Sequence, residues 1–320
     1  MSKIYLTRKI PNIAEEKLKE AGFDVTTNPE DRILSKGELI SELKRDSYDA
    51  VLCLLTDKID AGVFDAVPTA KIFSNYAVGY NNIDIEEAKK RGIVITNTPG
   101  VLSESVAEHT FALLLAVAKR IVEADRFTRE GKYKGWAPEL LLGVDLFDKN
   151  FLLLGAGRIG TIVARIAKGF GMKVFYFDIK RNEEIEKEGA LFVENVEDGL
   201  KTADFVSIHL PLLDSTKHFL NKERLALLKK TTILVNTSRG PIVDEEALAG
   251  ALLNKKIGGA GLDVYENEPD INENLKSLFN VVLTPHTASA TLETRGKMAE
   301  MAAGAIVDFL SGVSPKNKVF

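Results

Sequence analysis

Residues 151–160 read FLLLGAGRIG, in which four apolar residues run directly into a glycine-rich loop. Apolar residues then recur at helical spacing, at Ile159, Val163, Ile166 and Phe170. A short apolar run, a GxGxxG sequence and an amphipathic segment in this order predict a strand, a tight turn and a helix.

The three glycines of that loop suit a phosphate group. Gly155 permits the tight turn, Gly157 lets a pyrophosphate approach the backbone, and Gly160 lets the helix pack on the strand. The N-terminus of the helix then faces the anion. We therefore predict a dinucleotide-binding loop.

An acidic residue follows at the distance that such a site requires. The next predicted strand, 173–177, ends in Asp178, 18 residues beyond Gly160, close to the ~20 expected for a carboxylate that binds the ribose hydroxyls. A carboxylate there repels a 2′-phosphate, which favours NAD over NADP. Lys180 and Arg181 stand close behind and could accommodate that phosphate, so NADP stays open. A methyltransferase can also combine a glycine loop with an acidic residue, but the reacting groups described below argue against one.

The whole chain alternates short apolar runs with helix-period segments, which is typical of parallel sheets covered by helices on both faces. Before residue 100 the predicted strands are 3–7, 23–27, 50–54, 71–74 and 93–96. From residue 150 they are 151–154, 173–177, 205–208, 232–235, 260–264 and 281–284. The 320 residues are about two typical domain lengths, so we expect two α/β units.

The composition excludes several classes of protein. Basic and acidic residues nearly balance, 42 against 46, which argues against nucleic acid as a partner. Cys53 is the only cysteine, so the chain holds no internal disulfide and no CxxC motif, and a buried strand position is expected for it. The longest apolar run, 111–118, is far shorter than the ~20 residues of a membrane helix. Without a signal peptide at the N-terminus, we expect a cytoplasmic protein with no membrane partner.

The segment from Ser103 to Arg120 predicts a helix, with Ser105 and Glu108 at capping-box spacing. Two apolar stripes run along it, one with Val106, Leu113, Leu114, Val117 and Ile121, the other with Ala107, Phe111, Leu115, Ala118 and Val122. A helix that is apolar on two sides must be covered twice, most simply by its own domain and by a second copy of the chain. We therefore expect a homodimer; the alternative is an ordinary interdomain core helix.

The histidines narrow the search for an acid–base group. There are four, His109, His209, His218 and His286. His109 is expected to pack within the apolar helix, and only His286 follows a strand and has reactive partners at matching positions. Those partners are Arg239, just past strand 232–235, and Glu268, beyond strand 260–264. Because open α/β sheets bind ligands at the carboxyl ends of their strands, we predict that the three side chains converge there.

With these residues the chain resembles the D-isomer-specific 2-hydroxyacid dehydrogenases, most closely their glyoxylate/hydroxypyruvate reductase branch. The resemblance covers nearly the whole chain. Besides the glycine loop, it rests on NYAVGYNNID at 75–84, TNTP at 96–99, NTSRG at 236–240, GLDVYE at 261–266 and TPH at 284–286.

The resemblance implies two doubly wound parallel-sheet domains. A flavodoxin-like substrate-binding domain takes residues 1–98 and 287–320, and a Rossmann NAD-binding domain takes residues 99–286. The implied activity is NAD(P)H-dependent reduction of a small 2-keto acid to the D-2-hydroxy acid. A dehydrogenase for D-lactate or 3-phosphoglycerate stays open, as does a nucleotide-sensing, corepressor-like protein of the same fold.

The resemblance also implies roles for single residues. Arg239 binds the carboxylate and the keto oxygen of the substrate, His286 donates the proton, and Glu268 orients His286. Backbone NH groups of Val78 and Gly79 receive the substrate carboxylate, Leu55 lines the pocket, and Trp136 either reaches into the neighbouring subunit's site or is an ordinary interface aromatic. The implied cofactor contacts are Gly155, Gly157, Arg158, Ile159, Gly160, Asp178, Thr237 and Asp263. No metal is expected.

The residue types suit this chemistry independently. Hydride addition to a keto carbon leaves an alkoxide, which needs a cation beside the oxygen and an acid to protonate it. Arg239 offers a planar fork of donors that keeps its charge. The carboxylate of Glu268 favours the protonated form of a nearby imidazole.

A few positions bear on the choice of substrate and on rival activities. Asn75 stands where phosphoglycerate dehydrogenases tend to carry arginine, which favours an unphosphorylated acid. Ala288 replaces a glycine of many relatives, and formate dehydrogenases use glutamine in the role of Glu268. A hydrolase nucleophile elbow at 236–240 is excluded because GxSxG needs glycine where Asn236 stands.

Overall fold

The structure, a computed structural model, describes residues 1–320. The chain divides into two compact units, Met1–Leu102 with Ala290–Phe320, and Ser103–Ser289. The breaks therefore fall after residues 102 and 289, whereas the sequence led us to expect them after 98 and 286.

The first unit contains a five-stranded, all-parallel sheet in the order β2-β1-β3-β4-β5. This is the flavodoxin-like order. The strands, numbered along the chain, are β1 (Lys3–Leu6), β2 (Asp24–Thr27), β3 (Ala50–Leu54), β4 (Ile72–Tyr76) and β5 (Val94–Thr96). The helices are α1 (Ile13–Glu20), α2 (Lys36–Leu43), α3 (Ala61–Ala66), α4 (Ile85–Lys90) and, from the C-terminal segment, α13 (Leu292–Leu310).

The core of this unit forms on both faces of its sheet. The rings of Phe64 and Phe73 meet edge to face, 5.1 Å between centroids, and Cys53 is fully buried beside them in β3 as predicted. On the other face α13 packs against α1 and β4. Small side chains permit that close approach, since Ala299, Ala302 and Ala303 of α13 are all fully buried.

The second unit contains a seven-stranded, all-parallel sheet in the order β12-β11-β10-β9-β6-β7-β8. The order reverses between β6 and β9, as in a Rossmann fold. The strands are β6 (Asn150–Leu154), β7 (Lys173–Phe177), β8 (Leu191–Phe192), β9 (Phe205–Ile208), β10 (Ile233–Asn236), β11 (Gly259–Leu262) and β12 (Val281–Leu283). The helices are α5 (Ser103–Ala118), α6 (Ile121–Arg129), α7 (Arg158–Gly169), α8 (Glu183–Lys187), α9 (Val196–Thr202), α10 (Lys222–Leu225), α11 (Glu245–Leu253) and α12 (Glu273–Lys276), with a 3₁₀ turn at Gly240–Ile242.

Local sequence explains these elements. All four residues of β9 and of β10 are buried, as expected for strands covered by helices on both faces. Several helices begin at a side-chain cap: Asn195 accepts from Glu197 N, and Asp244 accepts from Ala247 N. The predicted fold class, two doubly wound α/β units, is confirmed.

Helix α5 corrects two expectations. It begins at Ser103, so Ser105 lies inside its first turn and not at the N-cap position that a capping box requires. It also ends at Ala118, and Arg120, with a positive φ of 55°, separates it from α6.

The argument that α5 needs a second subunit to cover it is also wrong. Most members of both apolar stripes, such as Leu114 and Phe111, are buried within the single chain. The reason is that α5 packs against α7 and against strands β10 to β12 at the same time. Apolar side chains remain exposed beyond its end instead, at Ile121 and Val122 of α6. None of the helices combines the length and the continuous apolar sequence that a membrane span requires.

Candidate active site

The glycine loop joins β6 to α7 in the predicted way. Gly155 has a φ of +103° and its NH donates to the carbonyl of Phe177 at 2.9 Å. A Cβ on Gly155 would lie 2.7 Å from the backbone of His209, and one on Gly160 would overlap the carbonyl oxygen of Gly155. Both positions therefore require glycine for the protein's own packing.

Gly157 has a different reason to be glycine. It is the N-cap of α7, has an ordinary φ of −76° and makes no side-chain cap. A Cβ at this position would meet no protein atom within 4 Å. The open space lies at the N-terminus of a twelve-residue helix, where backbone NH groups and the helix dipole favour an anion.

Asp178 lies at the end of β7 and is tied to the same loop. Its Oδ2 accepts from Ala156 N at 2.8 Å, and its Oδ1 accepts from Ile179 N at 2.7 Å. The carboxylate is thus fixed beside the phosphate loop and keeps acceptor capacity for ribose hydroxyls. Behind it Arg181 is engaged by Glu186 at 2.9 Å and lies over the ring of Phe192. With Arg158 exposed and Ile159 half-buried in the first turn of α7, these residues fit a dinucleotide.

Arg239 follows β10 on a loop fixed by side-chain contacts. Asn236 accepts from Ser238 N and donates to the Arg239 carbonyl, both at 3.0 Å, and Ser238 Oγ donates to the carbonyl of Leu210. Burial lowers the pKa of the Arg239 guanidinium, and the charge of Glu268 partly offsets that effect. Arginine keeps its charge in proteins, so the loop presents a partly desolvated cation.

The loops that carry Arg239 and Glu268 touch through Gly240. A Cβ on Gly240 would overlap the carbonyl group of Tyr265, so only glycine allows the two backbones to approach this closely. The carboxylate of Glu268 is fixed in turn, since its Oε1 accepts from Tyr265 N at 3.1 Å. Sequence reasoning did not identify the role of Gly240.

Glu268 and His286 form the predicted pair. The Nδ1 of His286 lies 2.9 Å from Glu268 Oε2, and both side chains are partly exposed. Burial acts to raise the pKa of the Glu268 carboxyl, but the hydrogen bond and the charge of His286 outweigh it, so the pKa lies below its ordinary value. An ionised Glu268 accepts the Nδ1 proton, which leaves Nε2 as the ring nitrogen that can transfer a proton.

Asp263 lies at the end of β11 and is fully buried. It accepts from Thr284 Oγ1 at 2.6 Å, from Thr287 N at 2.8 Å and from Ala288 N at 2.8 Å. Burial acts to raise the pKa of Asp263, but these donors and His109 lower it below the ordinary value. The sequence predicted a cofactor contact for Asp263; the structure places its oxygens on the loop that carries His286.

Thr237, another predicted cofactor contact, is buried beside helix α5. Its Oγ1 lies 2.9 Å from Thr110 Oγ1, which itself donates to the carbonyl of Val106 at 2.8 Å. Because Thr110 has only one hydroxyl proton, Thr237 must donate to Thr110. Toward a cofactor the Thr237 hydroxyl can then only accept a hydrogen bond.

The other three histidines are each engaged within the second unit. His109 does not merely pack in the helix: its Nε2 lies 3.1 Å from Thr284 Oγ1 and 3.4 Å from Asp263 Oδ1. His218 pairs with Glu266 at 2.6 Å. His209, beneath the glycine loop, lies 3.0 Å from Ser207 Oγ, and burial lowers its pKa to about 3, which keeps it neutral.

In the first unit, backbone contacts orient the NH groups of Val78 and Gly79. The carbonyl of Ala77 accepts from Thr98 N at 2.8 Å, and the carbonyl of Val78 accepts from Asn97 Nδ2 at 2.7 Å. In a trans peptide the NH points opposite to the carbonyl, so the NH groups of Val78 and Gly79 point together away from β5. Neither donates to a protein group.

Leu55, which follows β3, and Asn75, in β4, differ in exposure. Leu55 lines an open cleft of about 470 Å³. Asn75 is fully buried in β4 and donates to the Gly79 carbonyl at 2.9 Å. It therefore fixes the loop through the Gly79 carbonyl, a role that the sequence did not indicate.

Trp136 lies in the stretch between α6 and β6 and is 84% exposed. Exposed apolar side chains in the same stretch include Tyr133, Leu142 and Phe147.

Known proteins resemble this chain in sequence and in fold. The family model for the D-isomer specific 2-hydroxyacid dehydrogenase, NAD binding domain, matches residues 111–288. Glyoxylate reductase of Korarchaeum cryptofilum is 48% identical over 319 residues, 99% of this chain and 95% of that protein. Glyoxylate reductase of Thermococcus kodakarensis is 47% identical, over 99% of this chain and 96% of that protein. A solved structure, the NADPH-dependent glyoxylate/hydroxypyruvate reductase of Sinorhizobium meliloti with NADP and malonate, has a TM-score of 0.88 and 32% identity, covering 99% of this chain and 96% of that one.

Proposed function

Since the chain belongs to the D-isomer specific 2-hydroxyacid dehydrogenase family, we propose that it reduces a small 2-keto acid, glyoxylate or hydroxypyruvate, to the D-2-hydroxy acid. It is an NAD(P)-dependent oxidoreductase. The assignment of His286 as the proton donor rests on the 2.9 Å distance between its Nδ1 and the carboxylate of Glu268. Because Nδ1 is bound to Glu268, Nε2 is the ring nitrogen that is available for proton transfer to the substrate.

The residues that would hold the cofactor lie along the first half of the Rossmann sheet. We assign the pyrophosphate to Gly155, Gly157, Arg158, Ile159 and Gly160, and the ribose to Asp178. The open space at Gly157 and the fixed Asp178 carboxylate support this assignment. NAD(H) is favoured by Asp178, while NADP(H) stays open. When bound, the nicotinamide supplies the hydride that reduces C2 of the keto acid.

The protein's own side chains then stabilise the negative charge and transfer the proton. Reduction places negative charge on the former keto oxygen, and Arg239, a partly desolvated cation, stabilises it. The Nε2 of His286 gives its proton to that oxygen. Glu268 accepts from Nδ1 and stabilises the imidazolium before the transfer. In the oxidative direction the same nitrogen takes the proton back.

The first unit supplies further substrate groups in this proposal. The outward NH groups of Val78 and Gly79 suit a carboxylate, because two adjacent NH donors match its two oxygens. Leu55 would contact the small carbon chain. Thr237 and Asp263 remain predicted cofactor contacts, Thr237 as an acceptor.

A substrate panel tests the proposed reaction. Nicotinamide absorbance is followed with glyoxylate, hydroxypyruvate, pyruvate and phenylpyruvate, first with NADH and then with NADPH. We expect the highest kcat/KM with glyoxylate or hydroxypyruvate. Tight NADH binding without turnover of any of the four would overturn the proposal and support the nucleotide-sensing alternative, which the enzyme relatives do not favour.

We further propose a homodimer, supported by the surface around α6. Ile121, Val122 and Leu142 are about half exposed or more, and a groove of about 350 Å³ runs between α6, residues 142–144 and Phe279. Such a contiguous apolar surface is typical of an interface. Light scattering should give twice the chain mass, and a monomer at micromolar concentration would contradict the proposal.

Subunit mixing tests whether Trp136 acts in the partner's site. Trp136→Ala and His286→Asn chains are refolded together at equal concentrations. If Trp136 serves the partner, each mixed dimer regains one intact site, and the activity of the mixture rises above the average of the two parents. Activity no higher than the average of the parents would assign Trp136 to its own subunit's site or to the interface alone.

A further inference from the structure

The proton donor stands on a backbone that other groups must hold in place. His286 has a φ of +55°, in the left-handed region that residues with a Cβ rarely adopt. Such a conformation persists only where the surroundings fix it. Here the His286 NH donates to the carbonyls of Asp263 at 2.9 Å and Thr284 at 3.0 Å, and the Asp263 carboxylate holds the NH groups of the next two residues.

The hydrogen-bond geometry fixes the tautomer of His109. Thr284 Oγ1 lies 2.6 Å from the buried carboxylate of Asp263, so its single proton points to that oxygen. The same Oγ1 lies 3.1 Å from His109 Nε2 and can only accept there. His109 therefore carries its proton on Nε2, and a chain of donors runs from His109 through Thr284 to Asp263.

We propose that His109 is a positioning residue for His286. It donates to Thr284, Thr284 donates to Asp263, and Asp263 clamps the backbone of Thr287 and Ala288. His109 would not touch the substrate or the reacting atoms. The inference rests on the proposed function, because the consequence of good positioning is a faster proton transfer from His286.

The neighbouring residue of α5 makes a similar contact with the other catalytic loop. Thr110 accepts from Thr237, two residues before Arg239. Consecutive residues of one helix thus contact both loops, and α5 is itself fixed by α7 and the sheet. The apolar helix serves as a common support for the acid and the cation.

Two substitutions separate hydrogen bonding from packing. His109→Gln keeps an NH donor about where Nε2 lies, while His109→Phe keeps the ring volume and loses the donor. We expect His109→Phe to lower kcat for glyoxylate about 10-fold or more, since a misplacement of ~1 Å can cost ~10²-fold. His109→Gln should stay within about threefold of the natural protein, and KM for NADH should change little in either.

Equal losses in both variants, or an unchanged kcat in His109→Phe, would overturn the proposal. The natural protein is assayed alongside: no turnover by it would refute the proposed function, whereas its normal turnover together with a normal His109→Phe would refute only the role of His109. Thermal unfolding of each variant shows whether a loss merely reflects unfolding.

A spectroscopic readout does not depend on turnover. With four histidines in the chain, ¹⁵N-detected ring signals can be assigned by single substitutions. We expect Nε2 of His109 to carry a proton, and we expect the His286 ring signals to shift in His109→Phe but not in His109→Gln. An Nδ1–H tautomer for His109 would contradict the chain of hydrogen bonds from His109 through Thr284 to Asp263. So would His286 signals that change in neither variant.

Discussion

Replacing Gly157 by alanine should separate cofactor binding from folding. The backbone there has φ −76° and ψ −168°, which any residue can adopt, and a Cβ would meet no protein atom within 4 Å. A glycine-to-alanine change at an unstrained position stabilises by about 0.4–1 kcal/mol, because it restricts the unfolded chain. The lower preference of alanine for an N-cap offsets part of that gain here. The protein's own packing therefore gives no reason for glycine at 157.

The flanking glycines provide matched controls. At Gly155 an alanine would combine a φ of +103° with a Cβ 2.7 Å from the backbone of His209. Backbone strain of about 1–3 kcal/mol and overpacking of about 1–3 kcal/mol give a loss of roughly 2–6 kcal/mol. At Gly160 the overlap with the Gly155 carbonyl should cost about 1–3 kcal/mol.

Thermal unfolding and NADH fluorescence titration measure the two effects. Gly157→Ala should unfold at or above the temperature of the natural protein yet bind NADH at least ~10-fold more weakly, about 1.4 kcal/mol. Gly155→Ala and Gly160→Ala should unfold at lower temperatures than the natural protein. NADH binding by Gly157→Ala with unchanged affinity would show that no pyrophosphate approaches this residue, and it would refute the assigned phosphate site.

Three further predictions follow from other parts of the site. Arg239→Lys should lower kcat/KM for glyoxylate by about 10²-fold, because the paired donors are lost while the charge remains; steady-state kinetics with a change below threefold would contradict the role. Asp178→Ser should reduce the preference for NADH over NADPH by about 10-fold or more, measured as the ratio of kcat/KM values, and an unchanged ratio would place the ribose elsewhere. Burial lowers the pKa of His209 in the folded protein to about 3. As the pH falls, the imidazole therefore becomes protonated in the unfolded chain before it does in the folded protein. The free energy of unfolding that depends on neutral His209 is thus fully present above about pH 6.5 and is lost as the pH falls toward 3. When the pH is lowered from about 7.5 to 5, the free energy of unfolding of the natural protein should fall by about 1–2 kcal/mol more than that of His209→Gln, as measured by urea unfolding. Equal decreases in the two proteins would show that His209 is not held neutral.

Much of the fold was predictable because the buried strands of parallel sheets appear in the sequence as short apolar runs. Eleven strands were predicted as short apolar runs and all of them form, within two residues at either end. The missed strand, β8, has two residues with Leu191 exposed, too little for a periodic pattern. The break between α5 and α6 was missed because Arg120, not a glycine or proline, adopts the left-handed turn.

The site was predictable where function is local in sequence and not where it is distant. The glycine loop and Asp178 follow from spacing within one strand-turn-helix-strand unit. The support of His286 joins residues 109, 263, 284 and 288, and no local pattern reveals such long-range contacts. The role of Asn75 was missed for the same reason, since only the structure shows that its side chain donates to the Gly79 carbonyl of the following loop.

The most direct test of the account is the turnover of glyoxylate by His286→Asn, measured with NADH affinity on the same preparation. Asparagine keeps a polar side chain of similar reach but cannot transfer a proton near neutral pH. The account predicts a fall in kcat of about 10²- to 10⁴-fold with NADH affinity nearly unchanged. A folded variant that reduces glyoxylate within threefold of the natural rate would contradict it, because the proton would then come from another group.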